Sequence, residues 1–292
     1  MMNKRNKGSR LFTVLALMLF GLAVFMGAFW FLLPYKDFER RIEVELAKRG
    51  IEAEVVGLSP RTPFHYVIDK VHVGAMYGSP VDITLTDNKI SLSLSGIFSG
   101  KLGVKADAGI FGGRLEVSTV VPSPESLSFS WKDLDVAPLG ETFWENGYPL
   151  KGRTTGSGAV AMPYEALNKA DMNMEADLKD LAVGPIKVLA LKFEPVTFGQ
   201  GRLRASIKGG KLRLYDLKFS GGDVDLSGEA SVTIATPFKR SPLEAAVDFR
   251  PSPKTARDLY IPLAVLAPYK GADGSYNLKL RGTLGSPNPL QH

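Results

Sequence analysis

The sequence predicts a mostly β protein: a single N-terminal transmembrane helix, then an extended curved antiparallel β-sheet with short capping helices. Three observations carry that reading. Leu11–Leu33, LFTVLALMLFGLAVFMGAFWFLL, is an uninterrupted run of 23 residues without a charge, long enough to cross a bilayer core as a helix. From Ile51 onward apolar and polar residues alternate with the two-residue period of half-buried strands. Glycine pairs such as Gly112-Gly113, Gly209-Gly210 and Gly221-Gly222 then punctuate the alternating runs, as tight turns between antiparallel neighbours require.

Residues 1–10 read as a cytoplasmic tail. Lys4, Arg5, Lys7 and Arg10 precede the apolar run and no acid does, so the positive-inside rule orients the tail to the cytoplasm and the rest of the chain outside it. Residues 11–33 form the anchor, with Trp30 and Tyr35 where interfacial aromatics belong. A cleaved signal peptide would have a shorter apolar core and a small-x-small site after it. Here Gly27-Ala28 runs straight into Phe29-Trp30.

Residues 34–50 read as a juxtamembrane amphipathic helix. Phe38, Ile42 and Leu46 recur every fourth residue, and Glu39, Arg40, Arg41, Glu43 and Lys48 fill the remaining, wet positions. Gly50 follows Lys48 and Arg49 as a natural terminator.

Residues 51–292 read as one antiparallel β domain outside the cytoplasm. Val81, Ile83 and Leu85 alternate with polar residues, and Asp87-Asn88 then reads as a hairpin turn before Ile90, Leu92 and Leu94. Pro122–Leu150, which holds Trp131, Trp144 and four prolines, reads as irregular connection with one short helix around Pro138–Asn146. The clearest strands lie between Gly201 and Ile234. There Leu203, Ala205, Ile207, Leu212 and Leu214 share one face, and Arg204, Lys208 and Arg213 take the other. Ser252–Ala267 reads as a further helix carrying Leu259, Leu263 and Leu266. A weak internal echo links Pro138-Leu139 and Lys151-Gly152 with Pro262-Leu263 and Lys270-Gly271, as repeated strand units leave behind.

The apolar positions are mostly Val, Leu, Ile and Ala, one polar face is kept throughout, and no long helix lies between Gly50 and Ser252. A single sheet curled into a half-open barrel or groove accounts for all three. The groove face, Leu203, Ala205, Ile207, Leu212 and Leu214, is the candidate ligand-binding surface, with phospholipid as a candidate occupant.

The chemistry search returns no catalytic site, no metal site and no cofactor signature. Ser95–Lys101 is one residue short of a phosphate loop and leads into a strand. Asp223, Asp225 and Gly228 start like a calcium loop, but Ile234 stands where a ligating acid is needed. His65, His72 and His292 are the only histidines and there is no cysteine, which disfavours a zinc centre or a triad. Four of the 36 cations precede the anchor, leaving 32 against 30 acids. That balance points away from nucleic acid.

The segment FERRIEVELAKRGIEAEVVGLSPRTPFHYVIDKVHV resembles the opening of the type II secretion system protein N family and of the wider AsmA-like envelope proteins. LRLYDLKFSGGDVDLSGEASVTI is similar to AsmA-like strand repeats, and LKLRGTLGSPNP looks like the closing strand of that family. The resemblance spans most of Phe38–Pro289 and implies a bacterial inner-membrane protein, single-pass, with a curved, half-open sheet in the periplasm and no catalytic residues. The expected function is therefore a structural or accessory, non-enzymatic component of type II secretion. Its partners would be the lipid bilayer and other secretion-system inner-membrane proteins. Intermembrane lipid handling in an apolar β groove is the alternative, and an envelope hydrolase a distant third.

Overall fold

A computed structural model describes Phe20 and residues 34–62, 64–76, 78–93, 99–121, 125–143, 149–188 without 162–169, 191–236 and 240–290. Apart from Phe20, the run Leu11–Leu33 lies outside the described residues, as do Lys4, Arg5, Lys7, Arg10, Trp144 and His292. No helix among the described residues is long and apolar enough to cross a membrane.

The protein is mostly β. After helix α1 (Tyr35–Lys48) come β1 (Ile51–Thr62), β2 (His65–Met76), β3 (Ser79–Ser93), β4 (Leu102–Ile110), β5 (Gly113–Val121) and β6 (Ser126–Asp135). A short helix α2 (Ala137–Phe143) leads to β7 (Leu150–Ala161) and β8 (Met172–Val183). A small hairpin, β9 (Ile186–Val188) and β10 (Leu191–Phe193), precedes β11 (Val196–Lys208), β12 (Lys211–Ser220), β13 (Val224–Thr233) and β14 (Pro242–Pro251). Helices α3 (Pro253–Asp258) and α4 (Tyr260–Val265) and a 3-10 turn (Ala267–Tyr269) separate β14 from β15 (Tyr276–Thr283) and β16 (Ser286–Pro289).

Among the described residues, all strands but β9 and β10 form one open antiparallel sheet of 14, each paired with the next of that sheet along the chain. Such a meander is what short turns between alternating runs dictate. Because directions alternate, α2, the β9–β10 hairpin and α3–α4 all fall at one end of the strands, with the start of β1. The other end carries the β1–β2 and Gly209-Gly210 turns.

The pairing register keeps the faces separate across the whole sheet. One ladder runs Leu127–Val160–Met172–Ile207–Leu212–Val232. A second runs Phe129–Gly158–Met174–Ala205–Leu214–Ala230, and a third Trp131–Gly156–Ala176–Leu203–Leu217–Gly228. The opposite face carries cross-strand ion pairs: Lys105–Glu116 at 2.7 Å, Arg202–Asp177 at 3.2 Å and Arg281–Glu244 at 3.2 Å. Exposed pairs of this kind contribute about 0–1 kcal/mol each and act mainly on register.

Several sequence readings are corrected. Asp87-Asn88 is not a turn: β3 runs unbroken through it, with a register shift between Thr86 and Lys89. Asp87 takes φ 50° to absorb the extra residue, and Asn88 turns its amide inward to donate to the Ile68 and Leu85 carbonyls. This is a β-bulge, and it satisfies backbone groups that a ladder would otherwise hold. The segment Pro122–Leu150 is not all irregular, because β6 occupies its middle, with Leu127, Phe129 and Trp131 on the apolar face. Pro138 and Pro149 stand outside that strand, where they cost it no ladder bonds. The helix expected over Ser252–Ala267 is broken at Leu259. Pro262 has no N–H to give the Asp258 carbonyl, so one continuous helix cannot form there. The internal echo falls on equivalent places: α2 between β6 and β7, and α3–α4 between β14 and β15.

Candidate functional site

The candidate site is the apolar face itself. Ile207, 4% exposed, sits between Met172 and Leu212, and Ala205 between Met174 and Leu214. Leu203 lies between Ala176 and Leu217. The five residues singled out from the sequence thus fall on three adjacent ladders. Ala205 and Ile207 are buried, while Leu203, Leu212 and Leu214 remain half-exposed. Among the described helices, α1 lies on β1, α3 on β14, and α2 on β7 and also on β3, four strands away; their main packing falls outside β11 and β12.

Glycines and aromatics shape this face. A Cβ on Gly158 would run into the Phe129 ring, one on Gly156 into Trp131, and one on Gly201 into Phe219. Each ring therefore lies flat over a neighbouring glycine instead of standing up from the sheet. Phe129 and Trp131 stack at 6.1 Å, and Phe249 and Tyr276 stack at 4.9 Å across β14 and β15. Counting aromatics along the chain missed this. The signal was present in the alternation of Gly156 and Gly158 opposite a Phe-x-Trp strand, but pairing that strand required the register.

The sheet also bends. Cα atoms of β11 and β13, two strands apart, come within 8 Å, whereas two flat spacings are about 9.6 Å. Register shifts at Arg204/Ala205 and Leu214/Leu217 mark bulges on the strands concerned, the usual cause of a local bend.

Both free edges are blunted. Glu43 accepts a hydrogen bond from the Val55 N–H at 2.8 Å, and Glu39 accepts from the Leu58 N–H at 2.7 Å. Two outer donors of β1 are thereby occupied by α1. At the other edge, Leu290 N donates to the Lys279 carbonyl at 2.8 Å. In that register Pro287 and Pro289, opposite Gly282 and Leu280, are the residues whose nitrogens face outward. Proline has no N–H to offer there.

The polar constellations hold structure together. Asp223 accepts from Thr197 N at 3.0 Å and from Thr197 Oγ1 at 2.8 Å. Those bonds hold its carboxyl below the ordinary range, and Asp225 accepts from Gly221 N. His65 Nδ1 lies 2.8 Å from Thr62 Oγ1, and His72 Nδ1 lies 3.4 Å from Thr84 Oγ1 and 3.6 Å from Asp82. Among the described residues no three metal-ligating side chains gather. The start of the Ser95–Lys101 loop and His292 lie outside the described residues.

The chain matches no family model, no curated protein and no solved structure.

Proposed function

We propose that this chain is a non-catalytic envelope protein, held in the inner membrane by Leu11–Leu33, that works through the uncovered apolar face of its periplasmic sheet. The face curls into an open trough and holds an elongated apolar partner. One observation carries this: three contiguous apolar ladders cross the sheet, the main packing of the described helices falls outside β11 and β12, and Leu203, Leu212 and Leu214 stay half-exposed beside buried Ala205 and Ile207. An apolar surface of that extent in water is a binding surface or a liability.

The setting we propose is type II secretion, with the chain as a structural or accessory component beside other inner-membrane proteins. Support comes from the resemblance of Phe38–Val73 and Leu278–Pro289 to the protein N family. A second reading, AsmA-like lipid handling, is favoured by one specific feature. Glu39, Glu43, Pro287 and Pro289 block both sheet edges, so a partner strand is disfavoured there and the face remains for acyl chains.

A photoreactive residue at Leu214, with Arg213 as the control on the opposite face, tests both in living cells. Crosslinks to phospholipid at Leu214 alone support lipid handling. Crosslinks to envelope proteins at Leu214 alone support the secretion component. Equal labelling at the two positions, or none at Leu214, removes the trough from the account.

A further inference from the structure

The two most exposed large apolar side chains among the described residues are Val265, 76% exposed, and Tyr260, 73% exposed. Both belong to α4, between β14 and β15. The segment is not loose. Ser252 caps α3, accepting from Thr255 N at 3.2 Å, and its own N–H donates to the Asp223 carbonyl at 2.8 Å. Leu263 is buried and Leu259 and Leu266 are half-buried, so one side of the segment is seated on the protein. That seating holds Tyr260, Ala264 and Val265 outward, beside exposed Ala267 and Pro268.

Lys254, Arg257 and Lys270 are exposed around this apolar tip, beside exposed Asp258; Asp223 also faces Lys254, and Asp273, beyond Lys270, is paired with Arg250. An amphipathic ring, an aliphatic side chain and flanking cations form the composition of an element that lies in a lipid interface. The cations complement anionic headgroups.

Position argues which lipid surface. Glu39 lies beside Leu58 and Glu43 beside Val55, so α1 runs against the direction of β1. Its first residue, Tyr35, therefore lies at the strand end opposite to α3–α4. Along the sheet, β1 and β14 are eleven strand spacings apart, about 50 Å of contour at the usual spacing. The start of α1, which follows Leu33, and the α4 tip stand at diagonal corners of the sheet.

We propose that the α3–α4 tip is a docking site for a second, anionic lipid surface, distinct from the membrane that holds the anchor. Tyr260 and Val265 enter the interface, and Lys254, Arg257 and Lys270 meet its headgroups. The site does not depend on what fills the trough, and its test reads neither lipid extraction nor crosslinking.

The full chain is placed in phosphatidylcholine nanodiscs and mixed with separate vesicles rich in phosphatidylglycerol, then floated on a density gradient. The chain floats with those vesicles, and less with vesicles of phosphatidylcholine alone. A Tyr260→Asp/Val265→Asp double variant loses at least about tenfold in association, as removal of two inserted apolar side chains requires. Lys254→Glu with Lys270→Glu weakens association with the anionic vesicles only. A Tyr260→Trp variant gives a second readout that needs no destabilising change: its emission shifts to the blue when anionic vesicles are added. Absence of wild-type flotation, equal flotation of wild type and double variant, or an unshifted Tyr260→Trp emission overturns the proposal.

Discussion

The Glu43 carboxylate accepts a hydrogen bond from the backbone N–H of Val55 at 2.8 Å. A helix side chain here occupies a donor on the edge of a 14-stranded sheet, and Glu39 repeats the contact at Leu58. The charges of α1 are thus split. Arg40, Arg41, Glu45 and Lys48 face water, as do Phe38 and Val44, whereas Glu39 and Glu43 are half-buried against β1. An unpaired edge templates association with other chains. Glu39→Ala with Glu43→Ala is expected to destabilise the domain by about 3–6 kcal/mol, the sum of two charge-assisted bonds, and to raise the dimer fraction in size-exclusion chromatography. Unchanged denaturation midpoint and unchanged elution would show that the edge needs no cover.

Face assignment is testable at one pair of neighbours. Ile207→Asp buries a carboxyl between Met172 and Leu212 and is expected to cost about 3–5 kcal/mol. Lys208→Asp, on the exposed face, is expected to stay within about 0.5 kcal/mol. Urea denaturation of both variants gives the comparison, and equal effects would mean the faces are misassigned.

Gly201 is the third. The three atoms nearest to a Cβ added there belong to the Phe219 ring, so Gly201→Ala is expected to cost about 1–3 kcal/mol by overpacking. In a Phe219→Leu background the same change should cost at least about 1 kcal/mol less, because the two sites share one space. An additive double-mutant cycle would show that the ring does not lie over the glycine.

Acid should weaken the β13–β15 end of the sheet. Ser275 donors, then Arg250, hold the Asp273 carboxyl at about 2 against its ordinary 3.8, and Thr197 donors lower that of Asp223. Both folded values lie below the unfolded ones, so each carboxylate contributes stability above about pH 4 that is lost as pH falls through its folded value, about 2 for Asp273. Thermal melts are expected to hold steady from neutral pH to about 4 and to drop below it. In Asp223→Asn/Asp273→Asn the melting temperature at neutral pH is lower and the acid slope shallower. An unchanged acid slope in that variant would place the effect on other carboxylates.

The sequence alone determined the faces of the strands it marked, because a face is a local property; β6 and β14 were not among those strands. A two-residue period puts Leu203, Ala205 and Ile207 on one side of any strand they form, whatever that strand meets. The helix spacing of Ile42 and Leu46 is local in the same way. Tertiary structure decided everything that turns on a neighbour. Whether Asp87-Asn88 ends a strand or bulges within it depends on whether β2 and β4 pair on both sides of the break, and they do. That Glu39 and Glu43 serve as edge acceptors depends on amides 19 and 12 residues away. The rings of Phe129, Trp131 and Phe219 lie flat because the register brings a glycine under each. None of these partners is written in the segment that needs it, since hydrogen-bond and packing partners across a sheet are chosen by the fold and not by spacing along the chain.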